Sequence, residues 1–201
     1  MSTTAVTTLS EAISSVIQIL LFTLIPFVVW LILARKKENF FIWIGLKGIG
    51  NNIKDALKYA LLAFAICEVV GIIANETIMK EFNVSLYAGK GFSYLLCIMV
   101  YAYLHTALSE EIIYRGFIQK RLQNKLGFWP ATIIQAFIFG LTHLLMALGQ
   151  VNFAQGLVLL LYPMVPGILI PYVNEKKANG SILLGILIHG TLNFIVQLSQ
   201  L

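Results

Sequence analysis

Long apolar runs separated by short polar connections dominate the chain. Six runs approach the roughly 20 residues that an α-helix needs to cross a hydrocarbon core about 30 Å thick. They are Ile13 to Ala34, Ala56 to Ala74, Gly91 to Leu108, Pro130 to Leu148, Phe153 to Val173 and Ser181 to Leu198. Transmembrane β-strands would instead give alternating segments of about ten residues. The pattern predicts an all-α, polytopic membrane helix bundle with about six transmembrane helices.

The connections between the later runs are short, which constrains how the helices are arranged. Runs four to six are joined by Gly149 to Asn152 and by Asn174 to Gly180, so neighbouring helices are predicted to be antiparallel and adjacent. Run five contains prolines at positions 163, 166 and 171, which predict a kinked or irregular helix. No soluble segment is visible at either end, and residues 1–201 are predicted to form a single transmembrane domain.

Composition and the placement of charge support a membrane protein and predict its orientation. Of the 201 residues, 59% are hydrophobic and 11% are charged, whereas about a quarter of the residues in soluble domains are charged. Twelve of the 14 Lys and Arg residues lie in or next to three connections, which the positive-inside rule assigns to the cytoplasm. Both termini are therefore predicted to be outside. The net charge of +5 is spread over several connections, and no nucleic-acid partner is predicted.

Several polar side chains lie within or next to the apolar runs, where a charge near mid-bilayer costs about 2.5–3.5 kcal/mol on insertion scales. Such residues are functional candidates because they need a compensating reason to be there. They are Glu68, His105, Glu110, Glu111, His143, His189 and Asn193.

Two adjacent carboxylates and an arginine follow the third run. Residues four apart share a helix face, so Glu111 and Arg115 are predicted to pair, and Glu110 is predicted to face another helix. An alternative is that all three charges mark the membrane boundary, with Arg115 extending into the headgroups.

The same spacing stacks other polar groups on later helices. His189 and Asn193 are four apart, and a turn near Gly127 would bring Glu110 and His143 to similar heights on antiparallel helices. One polar cluster in the cytoplasmic half of the bundle is the simplest arrangement. Such a cluster can activate water and stabilise an oxyanion. Two histidines and a glutamate are equally suited to zinc, although the local HExxH signature is absent.

Three ordered motifs carry a family resemblance. Glu110 to Arg115 matches EExxxR, Phe139 to His143 matches FxxxH, and His189 to Asn193 matches HxxxN. The chain therefore resembles the CPBP family of CAAX proteases and bacteriocin-processing intramembrane proteases, also called Abi, which includes the Ras-converting CAAX prenyl endopeptidases. The resemblance covers about residues 90–198, the predicted catalytic core.

The resemblance implies a role for each motif residue. Glu110 and His143 would activate the hydrolytic water, His189 and Asn193 would form the oxyanion site, and Glu111 with Arg115 would organise them. The family has been regarded as metalloproteases, and a metal-free, glutamate-dependent mechanism is the competing view for the Ras-converting type. The cofactor is thus zinc, held by Glu110, His143 and His189, or none.

The predicted function is an intramembrane endopeptidase that hydrolyses a membrane-associated peptide or protein substrate, prenylated CAAX-like or bacteriocin-like. Smaller bacterial members are at least as close in size as the Ras-converting enzymes, which typically have eight spans. The predicted location is accordingly the plasma membrane of a prokaryote, in contact with lipid, with the active site facing the cytoplasm. Two alternatives are a non-proteolytic immunity or peptide-binding protein of the same fold, and a proton-coupled transporter.

Overall fold

The computed structural model describes residues 2–79 and 85–201, and within these ranges the chain forms helices and no β-strand. The predicted all-α class is confirmed. The α-helices are α1 (Thr3–Leu33), α2 (Phe40–Trp43), α3 (Ile53–Ala74), α4 (Leu95–Val100), α5 (Lys120–Leu126), α6 (Phe128–Met146), α7 (Phe153–Tyr172) and α8 (Leu183–Leu198).

The described residues contain five continuous helical segments that are long and apolar enough to cross a membrane. They are Thr3–Leu33, Ile53–Met79, Phe92–Leu126, Phe128–Met146 and Phe153–Lys177. The sixth predicted span corresponds to α8, which is apolar but has only 16 residues. The chain is an integral membrane protein with a polytopic helical bundle, and the orientation of its termini stays a prediction.

The first helix begins ten residues earlier than the apolar run predicted. The Ser2 hydroxyl oxygen accepts a hydrogen bond from the Ala5 amide at 3.2 Å and caps the helix. One carboxylate oxygen of Glu11 lies 2.7 Å from His105 Nδ1, and the other accepts the Tyr87 hydroxyl at 2.8 Å. Burial raises the pKa of Tyr87, which therefore remains a donor. These contacts with distant residues offset the cost of placing the Glu11 carboxylate in an apolar helix.

The third segment, Phe92–Leu126, is the least regular helix of the bundle. Between α4 and α5, residues Tyr101–Leu108 and Glu111–Gln119 form π-helix, in which hydrogen bonds run from i to i+5 and widen the turn. Wide turns of this kind occur frequently at functional sites. The two π-helical stretches meet at Ser109 and Glu110, and Glu110 is the predicted catalytic glutamate.

Small residues allow α6 and α7 to approach closely. A methyl group on Gly167 of α7 would lie 2.9 Å from the Cβ atom of Ala136 on α6, so the helices touch there without an intervening side chain. Helix α7 remains α-helical through all three of its prolines and continues into a π-helical turn over Val173–Lys177. The change from α-helical to π-helical hydrogen bonding thus follows the last proline, Pro171, by two residues.

The connections that carry most of the Lys and Arg residues contact one another. Lys120 Nζ lies 2.5 Å from a carboxylate oxygen of Glu175 and also donates to the Gly180 carbonyl at 2.7 Å. The Ile182 amide donates to the Gly45 carbonyl at 2.9 Å. These bonds fix the start of α8 against the third segment, and α8 carries the HxxxN motif.

Candidate active site

Glu111 and Arg115 form a buried ion pair on the third segment. Arg115 Nη1 lies 3.3 Å from Glu111 Oε1, and the side chains are 1% and 0% exposed. The Arg115 guanidinium also stacks over the Phe139 ring, 4.3 Å from its centre. The pair lies inside the bundle, which excludes the alternative that Arg115 extends into the headgroups.

The adjacent carboxylates Glu110 and Glu111 face opposite nitrogens of one imidazole. Glu111 Oε1 lies 3.1 Å from His189 Nδ1, and Glu110 Oε2 lies 3.7 Å from His189 Nε2. Because an ionised carboxylate can only accept, Nδ1 carries the proton shared with Glu111. The second nitrogen therefore faces the partly exposed Glu110 carboxylate, which reaches another helix as the sequence predicts.

His143 is oriented by the backbone of its own helix. Its Nδ1 donates to the Phe139 carbonyl, 2.9 Å away and one turn earlier on α6. In the neutral imidazole this leaves Nε2 as an acceptor. The Phe139 ring contacts both His143 and His189, with ring centres 4.6 and 5.8 Å apart respectively. Within the described ranges no hydrogen bond joins His143 to Glu110.

Asn193 lies one turn after His189 on α8, and a threonine fixes its amide. Asn193 Nδ2 donates to Thr106 Oγ1 at 2.8 Å, and the Thr106 hydroxyl donates to the Ala102 carbonyl at 2.8 Å. Since the hydroxyl proton is already used, the threonine oxygen must accept from Asn193. The second amide hydrogen of Asn193 is left for another acceptor.

The three candidate metal ligands do not form a metal site in this arrangement. Zinc requires its ligand atoms to converge at about 2.0–2.2 Å from one point. In the described part of the chain, no three His, Cys, Asp or Glu side chains converge in this way. The side chains of Glu110 and His189 face each other, whereas His143 and His189 each contact the Phe139 ring.

Several polar side chains besides the predicted site residues are buried or hydrogen-bonded in the bundle, and the sequence patterns did not predict their contacts. Thr106 precedes Glu110 by four residues, a spacing that could have indicated it. Gln135 and Asn174 are fully buried amides, with no motif to mark them. Tyr114, four residues after Glu110, forms a hydrogen bond with the Thr142 hydroxyl at 2.9 Å.

The assembled groups supply the parts of a hydrolytic site. Glu110 Oε2 is buried, lies 3.7 Å from His189 Nε2 and makes no hydrogen bond among the described residues, so it retains the capacity to accept a proton from water. Asn193 retains one amide hydrogen, and on the same face of α8 His189 offers an Nε2–H donor when its imidazole is protonated. The sequence family described as type II CAAX prenyl endopeptidase Rce1-like matches residues 92–195, slightly more than half of the chain.

The chain belongs to this Rce1-like family.

Membership confirms the resemblance that the three motifs predicted, because EExxxR, FxxxH and HxxxN all lie within the matched residues. The Rce1-like family places the chain among CAAX-type intramembrane proteases. The match runs from the start of the third segment into α8, so α1 to α3 lie outside it. No curated protein sequence and no solved structure matches the chain.

Proposed function

We propose that the chain is an intramembrane endopeptidase in which Glu110 and His143 activate water to hydrolyse a peptide bond of a membrane-associated substrate. The observation that carries this proposal is the convergence of Glu110 and Glu111 on the two nitrogens of His189 inside an apolar bundle. Burying two carboxylates beside one imidazole lowers the stability of the fold, so the arrangement indicates a functional site. Membership in a protease family supports proteolysis as the function of that site.

The first step is attack by water on the substrate carbonyl carbon. Glu110 Oε2 makes no hydrogen bond among the described residues and accepts a proton from the water. His143, whose Nδ1 is occupied by the Phe139 carbonyl, presents Nε2 as a second acceptor that holds the water. The remaining hydroxide oxygen forms a bond with the carbonyl carbon, and the carbonyl oxygen takes the negative charge.

The second step is collapse of the tetrahedral intermediate. His189 Nε2, when protonated, and the free amide hydrogen of Asn193 donate to the oxyanion. Glu111 holds His189 through Nδ1, and Arg115 neutralises Glu111. As the oxyanion reforms the carbonyl, the carbon–nitrogen bond breaks and Glu110 returns its proton to the leaving amine. Each proton is thereby accounted for without a metal.

Chelation is expected to leave turnover within about twofold of its untreated value, because the mechanism routes no step through an ion. The purified protein would be assayed after dialysis against 1,10-phenanthroline, with a zinc protease as positive control. Loss of activity that added zinc restores would contradict the metal-free steps.

The proposed substrates are prenylated CAAX-like or bacteriocin-like peptides at the cytoplasmic face of a prokaryotic plasma membrane. The family description supports the first class, and the basic connections of the bundle support the cytoplasmic face. Apart from α8, the segments that carry the site are long and apolar enough to cross a membrane, which suits a substrate that is itself held at the membrane.

A comparison of membrane proteomes tests the proposal even while the substrate is unidentified. Membranes containing the wild-type chain or its Glu110→Gln variant would be analysed for new protein N-termini by mass spectrometry. The proposal expects N-termini that require Glu110, and a synthetic peptide spanning one of them should be cut by purified protein. Identical N-termini in both samples would instead support the non-proteolytic, peptide-binding alternative.

Thr106 offers a prediction about the oxyanion side of the site. Thr106→Val keeps the shape and removes the acceptor for Asn193, so turnover is expected to fall about tenfold to hundredfold. Thr106→Ser retains the hydroxyl and is expected to stay within about threefold of wild type. Steady-state turnover of both purified variants checks this, and equal activities would show that the bond does not orient Asn193.

A further inference from the structure

Asn174 lies in the π-helical turn after α7 and contacts the start of α8. Its side chain is fully buried. Its Oδ1 accepts the Gly185 amide at 3.1 Å, and its backbone carbonyl accepts the Gly180 amide at 2.8 Å. Gly185 is the third residue of α8, where amides lack helical partners, so Asn174 caps this helix. The bond to Oδ1 limits how far the side-chain amide can rotate.

The Asn174 amide nitrogen lies near a carboxylate oxygen of the proposed site. A methyl group on Gly185 would lie 2.7 Å from Asn174 Nδ2 and 2.7 Å from Glu111 Oε2. The two atoms therefore flank the gap that the glycine leaves by having no side chain. Both atoms are buried, and neither has a hydrogen-bond partner among the described residues.

The other oxygen of Glu111 is already used. Glu111 Oε1 is 3.1 Å from His189 Nδ1 and 3.3 Å from Arg115 Nη1. A buried carboxylate oxygen and a buried amide N–H are each costly when unpaired. A single hydrogen bond between them, made by a small side-chain rotation or through one water in the gap, satisfies both groups.

We infer that Asn174 is a positioning residue whose Nδ2–H donates to Glu111 Oε2, directly or through one water, and so fixes the carboxylate that orients His189. The inference rests on the proposed function, because it concerns how that site is held. Asn174 acts through Glu111 and does not touch the substrate. The charged and titratable groups next to Glu111 are Arg115 on the third segment and His189 on α8, whose other ring nitrogen faces Glu110.

Replacing Asn174 with aspartate separates this role from helix capping. An aspartate oxygen still accepts the Gly185 amide, so a residue that only caps α8 would tolerate Asn174→Asp at every pH. If Asn174 instead positions Glu111, the effect of Asn174→Asp should depend on pH. When protonated, the new carboxyl group donates to Glu111, but when ionised it repels Glu111. The variant is expected to keep turnover within about threefold of wild type near pH 5 and to lose about tenfold or more near pH 8.

Two further variants complete the test. Asn174→Ala removes the donor and is expected to reduce turnover about tenfold to hundredfold at both pH values. Asn179→Asp, the same chemical change at an exposed position, is expected to follow the wild-type pH profile. Thermal unfolding of each variant in detergent would be recorded alongside, so that turnover is compared between folded proteins.

The outcomes are distinguishable from failure of the proposed function. A wild-type pH profile for Asn174→Asp, or equal loss at both pH values, would overturn the positioning role while Glu110→Gln still abolished cleavage. If the wild-type chain and Glu110→Gln cleaved equally, the proposed function itself would fail. An alkaline loss specific to Asn174→Asp supports the inference.

Discussion

Glu110→Gln is expected to lower turnover of a cleaved substrate by about a hundredfold to ten-thousandfold, the range that general-base catalysis contributes. The amide keeps the size of the side chain but cannot take a proton from water. Because Glu110 Oε2 faces His189 at 3.7 Å without a hydrogen bond in the described structure, the substitution removes no hydrogen bond of this oxygen. Folding should therefore be unchanged while chemistry is lost.

Glu68→Gln is the matched control for this substitution. Glu68 is another partly buried carboxylate in a membrane-spanning helix, α3, and lies outside the three motifs. Its variant is expected to retain turnover within about twofold, since single surface or peripheral changes are usually small. Purified protein in detergent, assayed with a peptide identified from membranes, measures both. Equal turnover by wild type and Glu110→Gln would remove Glu110 from the reaction.

Arg115→Ala is expected to destabilise the fold by about 3–5 kcal/mol as well as abolish turnover. Removing one member of a buried ion pair leaves an uncompensated charge, here the fully buried Glu111 carboxylate. The stacking of the guanidinium on Phe139 is lost at the same time. Thermal unfolding in detergent and turnover at a temperature well below unfolding measure the two effects separately.

A double variant tests whether the pair is present for stability or for function. Glu111→Leu combined with Arg115→Met replaces both charges with apolar groups of similar volume, a change that is often neutral or stabilising for a buried pair. We expect the double variant to unfold near the wild-type temperature and to remain inactive, because His189 Nδ1 loses its acceptor. Recovered turnover would contradict the orienting role of Glu111.

Local spacing predicted the contacts made within single helices. The Glu111 and Arg115 pair follows from their separation by four residues, and the placement of His189 and Asn193 on one face follows from the same rule. The helical class and the approximate number of spans follow from the length of the apolar runs. Each of these inferences needs only one segment of chain at a time.

Contacts between distant segments were beyond the reach of sequence patterns. Glu11 lies before the first apolar run, and its partner His105 is 94 residues away. On a regular α-helix the adjacent side chains of Glu110 and Glu111 would point about 100° apart, yet both reach His189. They lie where two π-helical stretches meet, and wider turns reduce the angle between adjacent side chains.

Helix α8 is short for a membrane-spanning element, and its length bears on how a substrate arrives. Its 16 residues extend about 24 Å, against a hydrocarbon thickness of about 30 Å. Such a mismatch is relieved when the surrounding bilayer thins locally, at a cost of fractions of a kcal/mol per Å. Lipid headgroups and water would then lie closer to His189 and Asn193. An extended peptide would have less hydrocarbon to traverse before its backbone reached them.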